Sequence, residues 1–180
     1  MRFAEASIAT MKLRIAVAIV AMTAACGANH TSNAEPAKTS LEGAAVTIAV
    51  YCCTAPPGPA NQTSNTVSGT VPASFPQGSL KGSKGDQDTI PVSVGVMAGQ
   101  VTLTSGFSGP ASGGSFNGYV YTFSGAPAIT NVTVDPLTSA GFAPTGISFT
   151  SNSINVNVSG LNYPSGGKQI LDITTGAAPG

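Results

Sequence analysis

The chain has 180 residues, room for one domain once a leader is removed, and only 8% of them are charged, with no net charge. Its 42% hydrophobic content is unlike that of a disordered chain, and 22 glycines with 13 prolines favour short strands and turns over long helices. Arginine occurs only at Arg2 and Arg14, and beyond the leader Lys38, Lys81, Lys84 and Lys168 are the only basic side chains. Binding a phosphate backbone takes a cluster of such cations, so nucleic acid is excluded as an expected partner.

In chain order, the first feature begins at Met11 with MKLRIAVAIVAMTAAC: Lys12 and Arg14, an apolar run from Ile15 to Ala25, then Cys26. A basic start, a short apolar run and small residues at the boundary predict a secretory signal over residues 1–25. The run is too short to span a bilayer, and Met11 is an alternative start. Thr23-Ala24-Ala25-Cys26 resembles the lipobox of bacterial lipoproteins, with Thr23 where that family prefers Leu. The resemblance implies that Cys26 becomes a lipidated N-terminus and the protein's contact with the membrane. Ordinary cleavage near Ala25 is the alternative, leaving Cys26 as a thiol on a secreted soluble protein.

By the family's sorting rule, Gly27 in place of Asp implies an outer-membrane lipoprotein of the cell envelope, facing the periplasm or the cell surface. Residues 26–43 are polar and without period, which predicts a flexible tether. The only histidine, His30, falls within it, where no fold holds a catalytic base at hydrogen-bonding distance from a nucleophile.

From Ala44 to Thr175 the period is two, which predicts a single all-β domain followed by a short tail, 176–180. Val46, Ile48, Val50 and Cys52 share one face of the first run; Thr47, Ala49, Tyr51 and Cys53 share the other. Later runs place Ile90, Val92, Val94 and Val96 in phase, then Val101 with Leu103, Tyr119 with Tyr121 and Phe123, Val132 with Val134, Ile154 with Val156 and Val158, and Leu171 with Ile173. Gly, Pro, Asn and Asp separate them. Roughly eight or nine antiparallel strands of this kind are best buried as a β-sandwich, immunoglobulin-like or jelly-roll-like. A small closed barrel is the alternative. From Ser115 to Ile173 the strand spacing and turns also resemble β-rich modules of exported bacterial proteins, which implies an exported β-module without naming a ligand.

Few residues carry chemistry. Asp135 precedes Pro136 in a turn and Asp172 sits inside a strand, so the pattern predicts a protein that is not an enzyme and needs no cofactor. Asp86 and Asp88, beside Lys81 and Lys84, are a weak candidate for Ca²⁺, since the rest of a calcium loop is missing; a solvated loop is the alternative. Tyr119, Tyr121 and Phe123 form an aromatic stripe that, if exposed, could stack on a glycan or an envelope protein and, if buried, is core. Two functions fit: a tethered binding or adhesion module of unknown ligand, or a structural or accessory subunit pairing through an exposed strand edge.

Cys52 and Cys53 stand where the first run meets Pro56-Pro57. No further soft ligand is at hand for zinc. In a regular strand neighbours point to opposite faces, so one reading ends the strand here and closes a vicinal disulfide in an oxidising compartment. The other leaves one buried cysteine beside one surface thiol.

Overall fold

Alternating apolar residues bury one face of a strand, and two such faces bury each other. The computed structural model, which describes residues 39–82 and 91–176, is built on this rule. Its twelve strands among the described residues are β1 (Ala45–Cys53), β2 (Val67–Thr70), β3 (Ala73–Phe75), β4 (Val92–Met97), β5 (Gln100–Ser105), β6 (Gly109–Pro110), β7 (Phe116–Ser124), β8 (Ile129–Val134), β9 (Gly146–Phe149), β10 (Ser153–Asn157), β11 (Asn162–Tyr163) and β12 (Lys168–Thr175). The expected eight or nine strands correspond to those of four residues or more. The additional β3, β6 and β11 have only two or three residues, too short to show a period.

Sheet 1 has the order β2-β1-β7-β10-β9 and sheet 2 the order β3-β4-β5-β12-β8, both antiparallel; β6 and β11 pair separately. Neither large sheet closes on itself, so the molecule is a sandwich and the barrel alternative falls. One hydrophobic core joins the two: Val46, Ile48, Tyr121, Ile154 and Val156 of sheet 1 meet Val94, Leu103, Val132 and Leu171 of sheet 2. Leu41 is also fully buried, and the Thr175 hydroxyl donates to the Thr39 carbonyl at 2.6 Å, so the packed body begins upstream of the expected boundary at Ala44.

The strand directions give the sandwich two unlike ends. Ala45 of β1 lies opposite Ser124, and Thr175 of β12 lies beside Thr39, so the described chain ends meet at one end. Among the described residues, the connections between strands that lie there are the short ones, 71–72, 98–99, 125–128 and 150–152. At the other end, reached by β1 after nine residues or roughly 30 Å, are the connections 54–66, 106–115, 135–145 and 158–167. No helix among the described residues is long and apolar enough to cross a membrane.

Candidate functional site

Tyr119, Tyr121 and Phe123 do not form a ligand stripe. They are 2%, 1% and 2% exposed, because the phase that puts them on one face of β7 turns that face into the core. The Tyr163 hydroxyl donates to that of Tyr119 at 3.4 Å, and the Tyr163 ring meets Phe142 edge-on, with centroids 4.7 Å apart. Burial is the main cause that raises the ionisation of all three tyrosines, Tyr119, Tyr121 and Tyr163, well above the ordinary phenol value. For Tyr119 the neighbouring Tyr163 adds to it; for Tyr163 burial outweighs the opposing hydrogen bond with Tyr119.

The outer face of sheet 1 is a different surface. Thr47 pairs with Ser68 and Thr122, and Thr122 pairs with Ser153, making one row of hydroxyls across four strands. In the next row Ala49, Val120, Asn155 and Ser148 lie side by side, followed by Tyr51, Gly118, Asn157 and Gly146. Cys53 and Phe116 begin the last row.

Phe116 is out of phase with the core aromatics of β7 and belongs to this outer face, yet it is only 6% exposed. With Gly146, Ile147, Ser148, Asn155 and Asn157 it lines a shallow depression of about 170 Å³. Gly118 and Gly146 leave this part of the face without side chains. At Gly118 a Cβ would collide with the Val156 carbonyl, so glycine lets β7 and β10 approach closely.

Asn157 fixes the wall of this depression. Its Oδ1 accepts from the backbone N–H groups of Asn117 and Ser159, each at 3.1 Å, and its Nδ2 donates to the Ser115 carbonyl at 3.3 Å. The Ser159 hydroxyl donates to the Gly114 carbonyl at 2.8 Å. Asn157 is therefore a latch between the start of β7 and the end of β10. Asn155 is less committed: its Nδ2 donates to the Ser148 hydroxyl at 3.2 Å.

The paired cysteines abut this region. Their sulfurs are bonded and β1 ends at Cys53, so the reading that ends the strand at the pair and closes a vicinal disulfide describes the structure. Cys52 lies opposite Asn117 and Cys53 opposite Phe116. Ser115 links the two strands: its N–H donates to the Cys53 carbonyl at 3.1 Å, and its hydroxyl accepts from the Ala55 N–H at 2.9 Å. Beyond Cys53 the connection is held by Asn61, which donates to the Thr54 and Pro56 carbonyls and accepts from the Gly58 N–H. Ser64 completes the edge of β1, its hydroxyl accepting from the Val50 N–H at 2.8 Å.

Cys26, His30, Asp86 and Asp88 lie outside the described residues. Among those described, no three of His, Cys, Asp and Glu come together as ligands for a metal ion. Periodicity did hold a signal for the depression: Phe116 is an aromatic residue on the side of β7 opposite to Tyr119, Tyr121 and Phe123, two positions before a glycine. The contribution of Ser148 and Asn155 depends on the register between β9 and β10, which the sequence does not display.

Compared with protein-family models, with curated proteins and with solved structures, the chain finds no match in any of the three.

Proposed function

We propose that the protein is a non-enzymatic lipoprotein of the cell envelope, exported, held at the outer membrane by lipid on Cys26, and acting as a binding or adhesion module. The observation that carries this reading is the unlike ends of the sandwich. The described chain begins at Thr39, beside Thr175 at the end with short connections, whereas the long connections, the joined cysteines and the depression by Phe116 lie towards the far end of β1. A lipid at the N-terminus would leave that far end facing outward, as a displayed recognition surface requires. Two or more acyl chains would hold the domain without a spanning helix.

The second reading, a subunit pairing through a strand edge, has less support. The edge strands β2 and β9 have four residues each, β3 has three, and the longest, β8, has six with a break in register against β12 at Thr174/Thr175. Short or irregular edges template a partner strand poorly.

Growth of the producing cell with a tagged fatty acid tests the anchor. The expected result is label on the wild-type chain, none on Cys26→Ser, and release of that variant from the membrane fraction. An unlabelled wild-type protein recovered in the medium would overturn the anchor in favour of a secreted soluble protein. Binding of the purified protein to isolated envelopes tests the module, and failure to sediment with them counts against it.

A further inference from the structure

The outer face of sheet 1 carries hydroxyls, amides and a few apolar side chains, and no charge in its rows among the described residues. Its rows present Thr47, Ser68, Thr122 and Ser153, then Ala49, Val120, Asn155 and Ser148. Of the charged residues among those described, Glu42 stands ahead of β1, Asp135 after β8, and Lys168 and Asp172 on β12 of the other sheet, while Lys81 lies outside these rows, bonded to Asn65 beyond the β1 edge. A polyanion would find no cation on this face to replace its counterions. A ligand rich in neutral hydroxyls would lose little on leaving water, because the face offers donors and acceptors in return.

The depression adds shape and an apolar floor. Phe116 supplies carbon surface, the side chain of Ile147 being turned with Val156 to the core, while Ser148 and Asn155 stand at its side with hydroxyl and carboxamide. Asn155 gives one N–H to Ser148, which leaves its carbonyl, its second N–H and the Ser148 O–H to turn towards a ligand. At about 170 Å³ the space is smaller than the roughly 300–1,000 Å³ of pockets that enclose drug-sized ligands. It suits one ring-sized unit, with the rest of a longer ligand lying on the rows of hydroxyls. A pyranose has this dual character, an apolar C–H face edged by hydroxyls, and matches an apolar floor with a polar rim.

Resting on the binding-module reading, we infer that this face binds an uncharged glycan, one sugar seated against Phe116 and hydrogen-bonded by Asn155 and Ser148, its neighbours lying across sheet 1. Asn157 acts through its hold on Asn117, Ser159 and Ser115, which fixes its carboxamide against the backbone. The joined cysteines and Ser115 hold the β1–β7 border of the site.

The test uses the full chain extracted in mild detergent and passed over immobilised neutral glycans, namely starch, dextran, mannan and cellulose, with alginate and heparin as anionic comparisons. Retention on at least one neutral glycan is expected, with none on the anionic polymers. Ser148→Asp and Asn155→Asp should each weaken it by about tenfold, the equivalent of one or two hydrogen bonds at roughly 1 kcal/mol each. Ser148 is exposed, so its replacement leaves the core untouched; Ser74→Asp, on an exposed position of sheet 2, should bind as the wild type does. Preference for an anionic polymer, or neutral-glycan retention indifferent to both face variants, overturns the assignment. Binding to isolated envelopes without retention on any glycan overturns the glycan and favours a protein ligand, whereas absence of both defeats the module reading itself.

Discussion

Cys53 and Phe116 lie directly opposite one another across β1 and β7, one the second half of a disulfide and the other the apolar floor of a depression on sheet 1. Ser115 ties the two together, since it bonds to the Cys53 carbonyl and immediately precedes Phe116. What happens at the cysteine pair is thus felt at the depression before it reaches the core.

The disulfide should therefore matter locally more than globally. It joins residues one apart in sequence, so it removes little freedom from the unfolded chain, and its loss should cost about 1 kcal/mol. The expected behaviour of the double variant Cys52→Ser/Cys53→Ser is a small fall in denaturation midpoint with faster amide exchange in 54–62. On the wild-type domain carrying Cys26→Ser, alkylation should find two thiols after reduction and none before. Two thiols reactive without reduction would remove the disulfide.

Gly118 should tolerate no side chain. Its added Cβ would meet the Val156 carbonyl, a backbone atom that cannot rotate away, so Gly118→Ala must push β7 from β10. The expected destabilisation is about 1–3 kcal/mol, as for overpacked sites generally, read from urea denaturation. A midpoint equal to wild type would mean that the two strands are not held so closely.

Most of the fold was legible in the sequence because the sandwich obeys the period of two. Val46 to Val50, Val92 to Val96 and Ile154 to Val156 bury the residues that alternation selects. The aromatic stripe shows the limit of the same rule: Tyr119, Tyr121 and Phe123 share a face by period, but only the second sheet decides that this face is inside. The depression was harder to read. Phe116 is marked by phase, whereas Asn155 and Ser148 meet through the pairing of β9 with β10, and Asn157 acts through contacts 40 and 42 residues away in sequence. Local pattern contains no record of such register.

The same long-range latch yields a graded expectation. Asn157→Ala removes both acceptor bonds and the donor bond, leaving the partly buried Asn117 N–H without its partner, and should cost roughly 2–3 kcal/mol. Asn157→Asp keeps the acceptors for Asn117 and Ser159 and loses only the donor to Ser115, so its loss should be smaller. Equal losses from the two substitutions, measured by thermal or urea unfolding, would show that the acceptor bonds contribute nothing.

Stability should fall in alkali, on account of the buried tyrosines. Tyr119, Tyr121 and Tyr163 hold their protons in the folded state well past the ordinary phenol value, chiefly through burial, while the unfolded chain releases them near pH 10. Above about pH 10 the unfolded state binds fewer protons than the folded one, so this contribution is complete below that pH and is lost as pH rises. Each tyrosine should remove about 1.4 kcal/mol per pH unit once the unfolded phenols are ionised. Tyr121→Phe keeps the ring in the core and removes one phenol, and should make the alkaline decline about one third shallower. Urea midpoints taken across this range, for wild type and variant, check both the direction and the proportion; a wild-type midpoint flat through pH 11 would mean that these phenols are not buried as described.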